Sequence, residues 1–174
     1  MAAPASLPDP RDTYEPPDRT GGDRAPSAAD RIAIDELFAR YAWAIDTGDV
    51  EGFVDLFVED GVIEDTVVNR LFEGAEAARG FADYFRNRIV FPGRQHWVGQ
   101  AVMTMQDDDT CRVRSFGMAS HLYSTGASYL TYLGSYDDTV VRTSEGWKFQ
   151  ERRYFSWRRD TFKGYIHELE GAQQ

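Results

Sequence analysis

His96 and His121 are two of the chain's three histidines, and each stands in a stretch whose residues suit a β-strand. The first reads Gln95-His96-Trp97-Val98-Gly99-Gln100-Ala101-Val102-Met103; the second reads Arg112-Val113-Arg114-Ser115-Phe116-Gly117-Met118-Ala119-Ser120-His121. Between them Asp107-Asp108-Asp109-Thr110 is a run of turn-formers. A two-residue hairpin loop at Asp108-Asp109 would set His96 directly opposite His121, on one face, with Cβ atoms about 5 Å apart. Two imidazoles at that separation suggest a proton-handling site, because histidine alone changes charge unaided near neutral pH.

Alternation places His96, Val98, Gln100, Val102 and Thr104 on one face of their strand, with Trp97, Gly99, Ala101, Met103 and Met105 on the other. Neither face is plainly polar, so both are expected to be covered. A covered histidine is either a structural one, its tautomer fixed by a hydrogen bond, or a base; an opposed second histidine favours the base. His121 shares its face with Gly117, Ala119 and Tyr123, and the small residues leave room for a ligand. Tyr123 and Tyr136 are the first choices for a hydroxyl that polarises a carbonyl. Tyr41, Phe57 and Trp97 are candidate cavity-wall residues, packing being the plainer role for Phe57 and Trp97. Asp65, on a strand expected to line the cavity, is a second carboxylate or a solvated one.

The elements that must position these residues are legible from spacing. Ser27 or Asp30 can cap a helix carrying Ile34, Leu37, Phe38, Tyr41 and Ile45 at helical intervals, with Gly48 as its C-cap. A second helix is expected over Val50 to Phe57, strands over 62–68 and 71–74, and a third helix over 75–88. Four long strands follow at 95–106, 111–124, 127–142 and 147–158. Helices first and a meander afterwards is an α+β pattern.

Composition narrows the function. The 174 residues carry a net charge of −10, which argues against nucleic acid or an anionic membrane surface as partner. The basic run Arg152-Arg153-Tyr154-Phe155-Ser156-Trp157-Arg158-Arg159 is the exception, and its alternation suits an edge strand with a basic solvated face. The single cysteine, Cys111, excludes an internal disulfide and suits packing in a strand. No run of apolar residues reaches transmembrane length. Residues 1–27 are rich in Pro, Asp, Arg and Gly and read as a disordered leader, 28–162 as the domain, and 163–174, with His167, as a polar tail. A cytoplasmic protein is expected.

The phrases Tyr41-Ala42-Trp43-Ala44-Ile45-Asp46-Thr47-Gly48-Asp49 and Leu56-Phe57-Val58-Glu59-Asp60-Gly61, then Gly134-Ser135-Tyr136-Asp137 and Gly146-Trp147-Lys148-Phe149, occur in the order just given. Together they resemble the SnoaL-like branch of the NTF2-like superfamily over roughly residues 28 to 160. The resemblance implies a cone in which N-terminal helices pack in the concavity of a strongly curved, mostly antiparallel sheet. Within the branch, Gln95-His96-Trp97-Val98-Gly99 is most similar to the scytalone dehydratases, and the likeness implies catalytic roles for Asp46, His96 and His121. Read without it, Asp46 is a solvated residue at a helix end, where the dipole disfavours a carboxylate. Two tyrosines that hold the carbonyl in those enzymes fall on Ile45 and Asp65, so their naphthol substrate is not expected here.

The expected activity is a cofactor-independent, metal-free dehydration of a small hydrophobic, cyclic or polyketide-like hydroxy-carbonyl compound. Isomerisation, epimerisation or cyclisation by the same Asp-His-His centre is the alternative. So is a non-catalytic ligand-binding or assembly subunit, as the β subunits of ring-hydroxylating dioxygenases have this fold. Relatives associate through the sheet, so a homo-oligomer, dimer or trimer, is expected.

Overall fold

Ser27 opens the first helix by accepting a hydrogen bond from the Asp30 amide at 3.1 Å, one of the donors a helix start leaves unpaired. This helix, α1 (Ala28–Thr47), ends at Gly48, whose φ of 73° is the left-handed conformation a C-cap requires. The computed structural model describes residues 24–66, 69–74, 76–88, 93–122 and 125–156. The expected leader up to residue 23 and the tail, with Tyr123 and His167, lie outside the described residues.

Two further helices, α2 (Val50–Val54) and α3 (Ala77–Arg88), join α1 on one side of six strands. The strands are β1 (Phe57–Asp65), β2 (Arg70–Phe72), β3 (Gln95–Met105), β4 (Thr110–Leu122), β5 (Ser128–Thr143) and β6 (Gly146–Ser156). The second helix is shorter than expected, because Leu56 and Phe57 leave it to begin pairing with β6. The sheet runs β2-β1-β6-β5-β4-β3, curved and unclosed, and only β1 with β6 is parallel. The core lies where the helices meet the concave face. Phe57 packs there, tilted, on both Phe53 and Phe149 with centroids 5.1 Å apart, and Phe38 packs on Phe149 at the same distance. Each fully buried aromatic of this kind contributes about 1.5–3 kcal/mol.

Two expectations are corrected by the sheet. The run from Arg152 is not an edge strand: β6 is central, flanked by β1 and β5, and Arg152 is fully buried. Arg158 and Arg159 lie outside the described residues. The hairpin register also differs. Residues 106–109 form a four-residue turn, closed by the Gln106 amide donating to Thr110 O at 2.8 Å, and β3 bulges between Gly99 and Val102. Gln100 in the bulge takes a φ of 51°. The bulge adds a residue on one strand only, so His96 pairs with Ala119, not His121. It also exchanges faces: His96 and Val98 point inward at one end, while Ala101, Met103 and Met105 do so at the other.

Candidate active site

The last turn of α1 and the first residues of β3 come together around one carboxylate. The Asp46 carboxylate accepts from the His96 amide at 2.6 Å and lies 2.5 Å from His96 Nδ1. It also accepts from Arg94 Nε at 3.1 Å, and Arg94 Nη2 donates to Ile45 O. One guanidinium therefore satisfies a terminal helix carbonyl and supplies the cation that the negative end of the helix favours. That answers why an aspartate is tolerated there. All three side chains are largely buried.

With Nδ1 donating to the carboxylate, the imidazole is held in the tautomer whose Nε2 carries the lone pair. The ring lines a pocket between the helices and the concave face. His96, Tyr41, Asp65, Tyr136, Arg152 and Tyr154 all contribute to its wall. Its free volume is about 30 Å³, room for a couple of water molecules; a larger guest enters only as the lining side chains move.

His121 sits on the same inward face as Ala119, diagonal to His96, and is 1% exposed. Burial, and then the charge of Arg94 and the proximity of His96, push its pKa below the ordinary histidine value. It is thus a neutral imidazole at pH 7. It does not line the interior pocket; it borders a groove with Gly93, Gln95, Trp97 and Leu122. Trp97 is 55% exposed on the outer face of the sheet, away from the interior, as alternation against His96 requires. Phe57 is core, packed on Phe53 and Phe149. The space at Gly117 is not open to a ligand, because the Tyr136 ring fills it: a Cβ there would lie 2.3 Å from Tyr136 Cε2.

Two arginines escaped the sequence reading. Arg94 could have been found from its position two residues before His96, on the same face of an extended chain. Arg152 could have been found from its partner: the hairpin at residues 143–146 sets Asp138 beside it, and Nη1 donates to Asp138 Oδ2 at 2.9 Å. The guanidinium lies over the rings of Tyr41 and Tyr136, 3.8 and 4.0 Å from their centroids. Burial opposes its charge, but Asp138, Tyr41 and Tyr136 outweigh that and hold its pKa above the ordinary arginine value. Among the described residues no group of three or more His, Cys, Asp or Glu side chains is arranged to hold a metal ion, and no helix is long and apolar enough to cross a membrane.

Residues 26–153 match the family model described as a SnoaL-like domain. Among solved structures, an NTF2-like protein with a cystatin-like fold from Novosphingobium aromaticivorans is 29% identical, covering 72% of this chain and 80% of its own, with a TM-score of 0.64. A protein of unknown function from Mycobacterium tuberculosis is 26% identical over 75% of this chain and 77% of its own, at a TM-score of 0.66. A third, also from Novosphingobium aromaticivorans and provisionally named a scytalone dehydratase, is 24% identical over 75% and 85%, at 0.65; its likeness is one of fold. A search of curated proteins found no match.

Proposed function

Because this chain belongs to the SnoaL-like domain family, which includes dehydratases and isomerases, we propose that it is an acid–base lyase. Its substrate is a small hydrophobic hydroxy-carbonyl compound, cyclic or polyketide-like. The supporting observation is the 2.5 Å contact between Asp46 and His96 Nδ1, on a ring that lines the pocket. His96 Nε2 takes the proton next to the carbonyl, and Asp46 steadies the imidazolium that results. The same imidazole then returns its proton to the departing hydroxyl, so that water leaves and a C=C bond remains. Returning the proton to a different carbon instead makes the reaction an isomerisation. His121, diagonal to His96 on the neighbouring strand, borders the adjoining groove rather than the pocket wall.

The test is a screen of hydroxy-ketones in deuterated buffer, read by mass spectrometry and NMR. The expected result is loss of 18 mass units from one class of candidate, with deuterium washed into the unreacted ketone at the carbon next to the carbonyl. The absence of exchange, elimination and rearrangement alike across the panel would place the protein among binding subunits instead.

The outer face of the sheet bears on assembly. Trp97, Met118 and Leu133 form one cross-strand row there, flanked by Phe116 and Leu130, and all are exposed. A contiguous apolar patch of this kind marks an interaction surface, and we read it as the contact of a homo-oligomer. Light scattering coupled to size exclusion is expected to give a dimer or trimer mass for the wild type and the monomer mass for the double variant Trp97→Lys/Leu133→Lys. A monomeric wild type would remove the proposal.

A further inference from the structure

The deep end of the pocket contains donors that the fold leaves unused. Arg152 spends Nη1 on Asp138, while its Nε and Nη2, both buried, make no hydrogen bond of acceptable geometry among the described residues. The Tyr154 hydroxyl, on the same strand two residues on, is likewise buried without a partner. Both side chains line the pocket that His96 lines. Native proteins rarely leave buried donors unpaired, and the exceptions call for a ligand or a function.

The surroundings hold these donors still. The Tyr41 and Tyr136 rings pack on the guanidinium, and Tyr136 packs on Tyr154 with centroids 4.7 Å apart. Gly134 makes the place for Tyr154: a Cβ at that position would lie 2.7 Å from the Tyr154 hydroxyl oxygen and 2.3 Å from Phe155 O. Burial, then the nearby Asp65, raise the Tyr154 pKa above the ordinary tyrosine value, so the hydroxyl stays a donor.

We propose that Arg152 and Tyr154 form an oxyanion site that receives the carbonyl oxygen of the substrate, which makes the substrate a carbonyl compound bearing an acidic C–H. This rests on the reading of His96 as the base and adds where the electrons go. As the C–H bond breaks and its proton moves to His96 Nε2, the pair forms the new C=C bond, and the carbonyl π electrons move to oxygen. The resulting enolate oxygen is held by the Arg152 N–H groups and the Tyr154 O–H. Donors preorganised for charge that develops on oxygen act in the transition state more than in the ground state. Glu64 and Asp65 line the pocket and Asp138 already pairs with Arg152, so a permanently charged carboxylate is a poorer occupant than a neutral carbonyl.

Binding of 4-nitrophenol, whose anion mimics an enolate and absorbs visible light, tests the site without turnover. The wild type is expected to bind it as the phenolate below its own pKa. Tyr154→Phe, which removes only an unpaired hydroxyl and is expected to keep the wild-type melting temperature, should weaken binding at least about tenfold. Arg152→Lys should do the same or more. Failure of the wild type to bind the phenolate, or wild-type affinity in Tyr154→Phe, would each overturn the proposal. Because the readout is binding, a His96 that proves not to be the base leaves the Tyr154→Phe result standing by itself.

Discussion

Asp46→Asn is expected to lower the turnover found in the hydroxy-ketone screen by about 10²- to 10⁴-fold while leaving the fold intact. The substitution is isosteric, and with its carbonyl oxygen in the place of Oδ2 the new amide still accepts from the His96 amide, while its NH₂ takes the place of Oδ1, which Arg94 Nε and His96 Nδ1 now share. What changes is the group facing His96 Nδ1, now a carboxylate oxygen at 2.5 Å. An amide NH₂ in that place forces Nδ1 to accept, which puts the ring proton on Nε2 and removes the lone pair that would take the substrate proton. His96→Gln is expected to cost about as much, and the double variant little more than either alone, since the two side chains act as one unit. Initial rates for the three variants, with circular dichroism as the control for folding, check this. Turnover of Asp46→Asn within threefold of the wild type would remove the dyad from the mechanism.

The second large effect falls on stability. Above pH 7, where the Asp138 carboxyl is ionised, Asp138→Ala leaves the buried Arg152 guanidinium without its counter-charge, a loss of about 3–5 kcal/mol, or roughly 10 °C in melting temperature for a chain of this size. Replacing both partners by apolar residues, Asp138→Leu with Arg152→Met, is expected to recover much of that, because the cost lies in the orphaned charge. The pair also carries a pH signature. Burial pushes the Asp138 carboxyl up to about 7 against the pull of Arg152, from an ordinary value of 3.8. Between those values the folded chain holds a proton that the unfolded chain has lost, so this contribution is complete below about 3.8 and lost as pH rises through about 7. Relative to Asp138→Asn, the wild type should therefore lose melting temperature between pH 4 and pH 7. Calorimetry across that range reads the difference, and parallel profiles would assign Asp138 an unshifted carboxyl.

The elements were legible because each is written in local terms. Ser27 caps α1, Gly48 ends it, and the long strands begin and end within a few residues of where turn-formers fall. The nearness of Asp46 to His96 entered through a resemblance rather than from spacing, since nothing local ties the end of a helix to a strand some fifty residues on. Register was less visible. The step from a direct His96–His121 pair to a diagonal one depends on a longer turn and on a bulge, and no composition signal at Gly99-Gln100-Ala101 distinguishes a bulge from a regular strand. Strand order was hidden altogether: that β6 lies between β1 and β5 is a tertiary fact, and it turns Arg152 from a surface charge into a buried one. Trp97 shows the same limit: alternation sets it opposite to His96, but strand order decides that its face is the outer one, where it borders a groove and not the interior pocket.

The bulge at Gln100 divides β3 into two halves whose inside–outside phase is offset by one residue. The half near the turn obeys the packing of Met103 and Met105, while the half near the helix end obeys the chemistry of His96. Each half can thus be altered without dictating the other's phase, and the offset itself is a single-residue property. Deleting Gln100 would merge the halves into one uninterrupted alternation: with the methionines kept inside, the imidazole would swing out to solvent, and a strand almost unchanged in composition would have lost its base.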